Sequence, residues 1–128
     1  MLTKRPFLLI GKGIETQWSS VLRQALFPLG ELRIIPSGEA VRAIIKDDYQ
    51  AIIIDAGEVH DVITLLSRLR AQQPEARIVI ATTVPTWQRA REALRAGAAD
   101  YIRKSLDEKE LCSKIQAVLE TPPPSWPV

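Results

Sequence analysis

Residues 78–104 read IVIATTVPTWQRAREALRAGAADYIRK: a short apolar run, a segment of helical length and a second short run. The first run, at residues 78–81, lacks the polar alternation of a half-exposed strand, so it predicts a strand buried on both faces. A helix is predicted from about Thr86 to Ala96, because Pro85 suits a first turn and Gly97 suits the left-handed position after a helix. The whole stretch therefore predicts a βαβ unit.

The same alternation extends over the rest of the chain. Further apolar runs predict strands at residues 7–10, 32–35, 51–54 and 101–102. Apolar spacing of three and four predicts four more helices. The inward positions of the first of these helices are Ile14, Trp18, Val21, Leu22, Ala25 and Leu26. The next, after an N-cap at Ser37, has Val41, Ile44 and Ile45, and the one after it has Val62, Ile63, Leu66 and Leu69. The last, after the capping-box pair Asp107 and Glu110, has Leu111, Cys112, Ile115, Val118 and Leu119. Short connections between alternating strands and helices predict a three-layer α/β sandwich with a parallel sheet.

Length and composition exclude several classes of protein. A chain of 128 residues, 46% hydrophobic and 25% charged, has the size and composition of one globular domain. We assign residues 1–120 to that domain and residues 121–128, with four prolines, to a Pro-rich tail. The net charge of +2 is too small to predict binding to nucleic acid or membrane. Since no secretion signal or membrane-spanning run is present, we predict a cytoplasmic protein.

Polar residues follow the ends of four predicted strands. Gly11 and Lys12 follow the first strand, Asp55 the third, Thr82 the fourth and Lys104 the fifth. In an open parallel sheet, ligands and reacting groups collect at the carboxyl ends of the strands. The sequence therefore predicts one site that combines a carboxylate, a hydroxyl group and an ammonium group.

These positions resemble a family. Asp55 closing the third strand, Thr82 closing the fourth, and the motif Ala-Gly-Ala-x-x-Tyr-x-x-Lys at residues 96–104 resemble the response-regulator receiver domain of two-component phosphorelays, over about residues 5–120. The resemblance implies a flavodoxin-like (βα)5 fold with strand order 2-1-3-4-5. It also implies that Asp55 accepts a phosphoryl group, that Lys104 pairs with it, that Thr82 hydrogen-bonds the modified aspartate and that Tyr101 is a rotameric switch.

The chain departs from the family directly after the first strand. Receivers carry two acidic residues there, which hold Mg²⁺ together with the acceptor aspartate. Gly11 and Lys12 occupy those positions here, so the pocket of Asp55, Lys12 and Lys104 has a formal charge of +1 in place of −2. We therefore predict no resident cofactor and weak or absent binding of Mg²⁺. A further hypothesis is that the Lys12 ammonium folds over Asp55 in place of the metal.

The sequence thus predicts a stand-alone, non-enzymatic pseudo-receiver that acts by protein–protein interaction. Its expected partner is a signalling protein such as a histidine kinase, or a second copy of the chain. The resemblance places the contact on the fourth helix, fifth strand and fifth helix, where we define the partner face as Trp87, Arg89, Arg91, Arg95, Arg103 and Lys109.

Two alternatives remain open. The first is a conventional phosphoacceptor that uses Asp55. The second is a small nucleotide- or flavin-binding protein, suggested by Gly11 and Gly13, although Thr16 replaces the third glycine of a dinucleotide motif. Hydrolysis is not predicted, because His60 has no nucleophile pattern nearby.

Overall fold

A single parallel sheet forms the centre of the computed structural model, which describes residues 4–122. Its strands are β1 (Phe7–Gly11), β2 (Leu32–Pro36), β3 (Ile52–Asp55), β4 (Ile78–Thr82) and β5 (Asp100–Arg103). They pair in the order β2-β1-β3-β4-β5. The flavodoxin-like fold and its strand order are therefore confirmed. The predicted tail lies outside the described residues from position 123 onward.

Five helices cover the two faces of the sheet. They are α1 (Gln17–Leu26), α2 (Ala40–Lys46), α3 (Val62–Gln72), α4 (Trp87–Arg95) and α5 (Glu108–Glu120). Helices α1 and α5 pack on one face, and α2, α3 and α4 pack on the other. No helix within residues 4–122 has both the length and the hydropathy that a membrane span requires.

The central strands β1, β3 and β4 lack polar alternation because both faces of the sheet are covered there. In β3, the Ile53 side chain belongs to the core under α1 and α5, whereas Ile52 and Ile54 belong to the core under α2, α3 and α4. The same division holds along β1 and β4. Since successive side chains of a strand point to opposite faces, every position of a central strand meets an apolar layer.

Two predicted inward positions are wrong. Ile14 is exposed because α1 begins only at Gln17, after Thr16 and Ser19 form a capping box. Ile45 is exposed because neighbouring helical residues are turned about 100° apart, and Ile44 takes the central position against the sheet.

Three predictions of local structure also need correction. Ser37 opens a short 3₁₀ turn (Ser37–Glu39) and its side chain makes no capping bond. Asp107 does cap α5, but the Glu110 carboxylate accepts from the Ser105 hydroxyl and does not complete a capping box. Cys112 is half-buried beside the core and not fully enclosed.

The end of α4 gives a stability prediction. Gly97 has a φ of +104°, and a Cβ at this position would overlap the guanidinium of Arg70, which is buried. We expect Gly97→Ala to lower the free energy of unfolding by roughly 2–3 kcal/mol, from the left-handed backbone and the overlap together. Gly38→Ala is the matched control, because a Cβ there meets nothing within 4 Å. Urea denaturation of both variants checks this, and equal stabilities would contradict it.

Candidate functional site

Asp55 and Lys104 form an ion pair at the carboxyl edge of the sheet. Asp55 is the last residue of β3, and Lys104 follows β5, where its backbone N–H donates to the Thr82 carbonyl at 2.8 Å. This bond extends the pairing of β4 and β5 and brings Lys104 Nζ to 2.6 Å from Asp55 Oδ1. The backbone N–H of Gly57 donates to the same oxygen at 2.9 Å. The two side chains are only 3% and 14% exposed, so the pair is largely shielded from water.

Thr82 and Tyr101 lie on the neighbouring strands β4 and β5, and neither makes a hydrogen bond to this pair. Thr82 ends β4, one residue beyond Ala81, which is the register partner of Asp55, and its hydroxyl accepts the backbone N–H of Val84 at 3.2 Å. Tyr101 lies half-buried on β5 and lines a cavity of about 290 Å³ between α3 and α4. The structure therefore places Thr82 at the same edge as Asp55, and Tyr101 on the sheet face covered by α2, α3 and α4. Their switch roles stay a prediction.

Glu58 lies where the acidic pair of the family was expected. A Cβ on Gly11 would overlap Glu58 Oε1, so this carboxylate covers the backbone of the buried Gly11. The backbone N–H of Lys12 donates to the same oxygen at 3.3 Å. Sequence reasoning missed Glu58, because only the fold of the β3–α3 loop shows that a residue 47 positions after Gly11 returns to it. An acidic residue three positions after Asp55 was the one available signal.

The Lys12 ammonium does not take the place that the sequence hypothesis gave it. Among residues 4–122, the only ion-pair partner of Asp55 is Lys104. Lys12 bridges to Pro36 through its backbone, and its side chain is exposed. A second ammonium group at Asp55 would be repelled by Lys104, which explains the outcome. With Lys12 outside the pocket and Glu58 included, the formal charge is −1 in place of the predicted +1.

The α3 helix begins directly after the loop that carries Glu58. Asp61 caps it by accepting from the backbone N–H and the hydroxyl of Thr64. These two bonds hold the pKa of Asp61 below its ordinary value of 3.8, with a smaller contribution from His60. His60 itself is exposed at the rim of the α3–α4 cavity. The Asp61 cap therefore fixes the C-terminal end of the loop that carries Glu58.

The two glycines after β1 do not form an open phosphate-binding loop. Gly11 is covered by Glu58, and Gly13, with φ of +81°, lies against the Pro36 ring. A phosphate-binding loop needs free backbone N–H groups that face a ligand. The geometry therefore gives no support to the nucleotide- or flavin-binding alternative.

The partner face lies at the surface, as its sequence suggested. Ala93 is the only fully buried residue of α4. Trp87 is 67% exposed, and the partner-face cations Arg89, Arg91, Arg95, Arg103 and Lys109 are all exposed. Leu94, half exposed, follows Trp87 by seven residues, so the two lie on one helical stripe with Arg91 between them. This stripe combines apolar and basic side chains.

Comparisons with known proteins match the chain to one family. A family model described as response regulator receiver domain matches residues 17–116. A DNA-binding transcriptional regulator NtrC from Azospirillum brasilense is 31% identical over 113 residues, which are 84% of this chain and 24% of that protein. The transcriptional regulatory protein RprY of Bacteroides fragilis is 31% identical over 102 residues, 77% of this chain and 43% of that protein. The chain thus spans less than half the length of these curated relatives.

A solved structure shows the same fold. The CheY-like response regulator receiver domain protein from Methanospirillum hungatei superposes with a TM-score of 0.78 at 21% identity, covering 92% of this chain and 95% of that one. The family model matches most of the chain, including the strands that carry Asp55 and Thr82 and the position of Lys104. This chain therefore belongs to the response regulator receiver domain family of two-component signalling proteins.

Proposed function

We propose that this chain is an atypical receiver that transmits a signal by binding another protein, with little or no Mg²⁺-dependent phosphorylation of Asp55. It would need no resident cofactor and would catalyse no reaction of its own. The observation that carries the proposal is the replacement of the acidic pair: Gly11 supplies no carboxylate, Lys12 is exposed and Glu58 fills the space above Gly11.

The residues at the carboxyl edge do not fit Mg²⁺. The ion demands nearly octahedral oxygen ligation, and phosphoryl transfer uses it to neutralise the transferred oxygens. Asp55 Oδ1 already receives Lys104 Nζ and the Gly57 N–H. Within residues 4–122, no three or more His, Cys, Asp or Glu residues cluster in a way that could hold a metal. The family match also begins at residue 17, after the two altered positions.

Receiver domains interact with histidine kinases and other signalling proteins. In this chain the partner face supplies the apolar and basic side chains for such an interaction. Trp87 and Leu94 offer apolar contact, and Arg91 and Arg95 add positive charge beside them. Exposed Trp and Arg side chains are the residue types that most often dominate binding energy at interfaces. We therefore propose a partner whose contact surface is apolar and acidic; self-association through the same face is the second arrangement to test.

The test is a pull-down from the host with the wild type and three variants. The face variant is Trp87→Ala with Arg91→Glu, and the matched control is Phe27→Ala, which removes a side chain that is 79% exposed at the end of α1. We expect the face variant to recover at least about tenfold less of a wild-type partner. Phe27→Ala and Asp55→Ala should recover it fully. Loss of the partner from Asp55→Ala, or full recovery by the face variant, would contradict the proposal.

A conventional phosphoacceptor remains the second candidate. The observation in its favour is that Asp55 is paired with Lys104 and that Thr82 ends the neighbouring strand at the same edge of the sheet. This candidate requires Asp55 to be modified despite the missing acidic pair. A direct phosphorylation measurement separates the two candidates.

A further inference from the structure

The indole ring of Trp18 lies against the ion pair of Asp55 and Lys104. Lys104 Nζ is 5.4 Å from the centroid of the ring. Trp18 is only 7% exposed and belongs to the core beneath α1 and α5. The capping box of Thr16 and Ser19, with bonds of 2.7 and 3.1 Å, fixes the first turn of α1 that carries it. The ring is therefore a rigid surface for the ammonium group.

The Lys104 ammonium thus has two partners, both distant from it in sequence. A lysine side chain has a flexible four-carbon stem and a strongly hydrated charge, so it holds one position only where several contacts replace its water. Asp55 supplies a carboxylate, and Trp18 supplies the aromatic face that attracts cations most strongly. We propose that Trp18 is a positioning residue that holds Lys104 against Asp55.

The choice of tryptophan at this position supports a role beyond filling space. The indole Nε1 is buried and, among the described residues, has no hydrogen-bond partner. A buried donor without an acceptor is unfavourable, and phenylalanine would fill much of the same core without one. The aromatic face toward Lys104 gives a physical reason for the indole. The inference deepens the proposed function, on which it rests, because a fixed Lys104 keeps the Asp55 carboxylate in its ion pair.

Two substitutions at Trp18 distinguish the effect of its aromatic ring from the effect of its side-chain volume. Trp18→Phe retains a ring and removes the orphan donor, whereas Trp18→Leu retains apolar bulk and removes the ring. The readout is solvent exchange of the Lys104 ammonium protons, measured by ¹⁵N NMR of the lysine side chains. We expect exchange within about twofold of the wild type for Trp18→Phe and roughly tenfold faster for Trp18→Leu. Phe27→Leu, at an exposed aromatic residue after α1 and outside the partner face, is the control and should leave the exchange rate unchanged.

A second measurement keeps the inference testable if Trp18→Leu fails to fold. Lys104→Gln removes the charge at similar length, and we expect it to shift the indole ring signals of Trp18. Lys109→Gln removes an exposed charge on α5 and should leave those signals in place. Equal exchange rates in the two Trp18 variants, or unshifted Trp18 signals in Lys104→Gln, would overturn the inference. Neither readout involves phosphorylation or a partner, so the inference and the proposed function can fail separately.

Discussion

Replacing Lys104 with methionine should lower the free energy of unfolding by about 3 kcal/mol at pH 7, because it leaves the buried Asp55 carboxylate without its cation. Asp55 is 2% exposed as a residue and would retain only the Gly57 N–H. The double variant Asp55→Asn with Lys104→Met should recover most of this loss, since neither an unpaired charge nor its partner then remains. Urea denaturation of the wild type, both single variants and the double variant measures the coupling.

The control for this cycle is an exposed ion pair in the same protein. Arg33 and Asp47 lie 3.3 Å apart, with both side chains more than two-fifths exposed. A cycle on this pair should give a coupling below about 0.5 kcal/mol. If Lys104→Met costs no more than this surface pair, Asp55 is not held as the structure describes.

A restored acidic pair should bind Mg²⁺ more weakly while Glu58 is present than after Glu58 is removed. In the double variant Gly11→Asp with Lys12→Asp, the new side chain at position 11 overlaps Glu58 Oε1 and repels its charge. Adding Glu58→Ala opens that space. We expect the triple variant to bind Mg²⁺ roughly ten- to a hundredfold more tightly than the double variant, in proportion to the relieved overlap and repulsion. Titration with Mg²⁺ followed by backbone amide NMR gives both affinities.

The triple variant should also become phosphorylated at Asp55. With the metal ligands restored, acetyl phosphate should modify Asp55, and the same variant with Asp55→Ala should stay unmodified. Equal Mg²⁺ affinities of the double and triple variants would show that Glu58 does not close this space.

The fold and the register of the site could be predicted because strong local signals agree. Apolar runs without polar alternation predict strands covered on both sides, and Asp55 and Thr82 directly follow two such runs, while Lys104 follows the shorter run at residues 101–102. Parallel pairing then places their ends at one edge, where the structure has them.

The contacts that surround the ion pair of Asp55 and Lys104 could not be predicted, because they depend on loop conformations and on residues distant in sequence. Glu58 reaches Gly11 only through the turn after β3, in which the Glu58 and Val59 N–H groups both donate to the Asp55 carbonyl. Lys12 is exposed, and its backbone bridges to Pro36, a residue distant in sequence. Apolar spacing likewise placed Trp18 on the inner face of α1 but did not bring it to Lys104, 86 residues later.

The most direct test of the central claim is incubation of the wild-type protein with acetyl phosphate and Mg²⁺, followed by intact-mass analysis. We expect an unchanged mass, because the carboxyl edge lacks the acidic pair that would hold the metal. A near-stoichiometric gain of about 80 Da, absent from Asp55→Ala, would contradict it and establish a conventional phosphoacceptor.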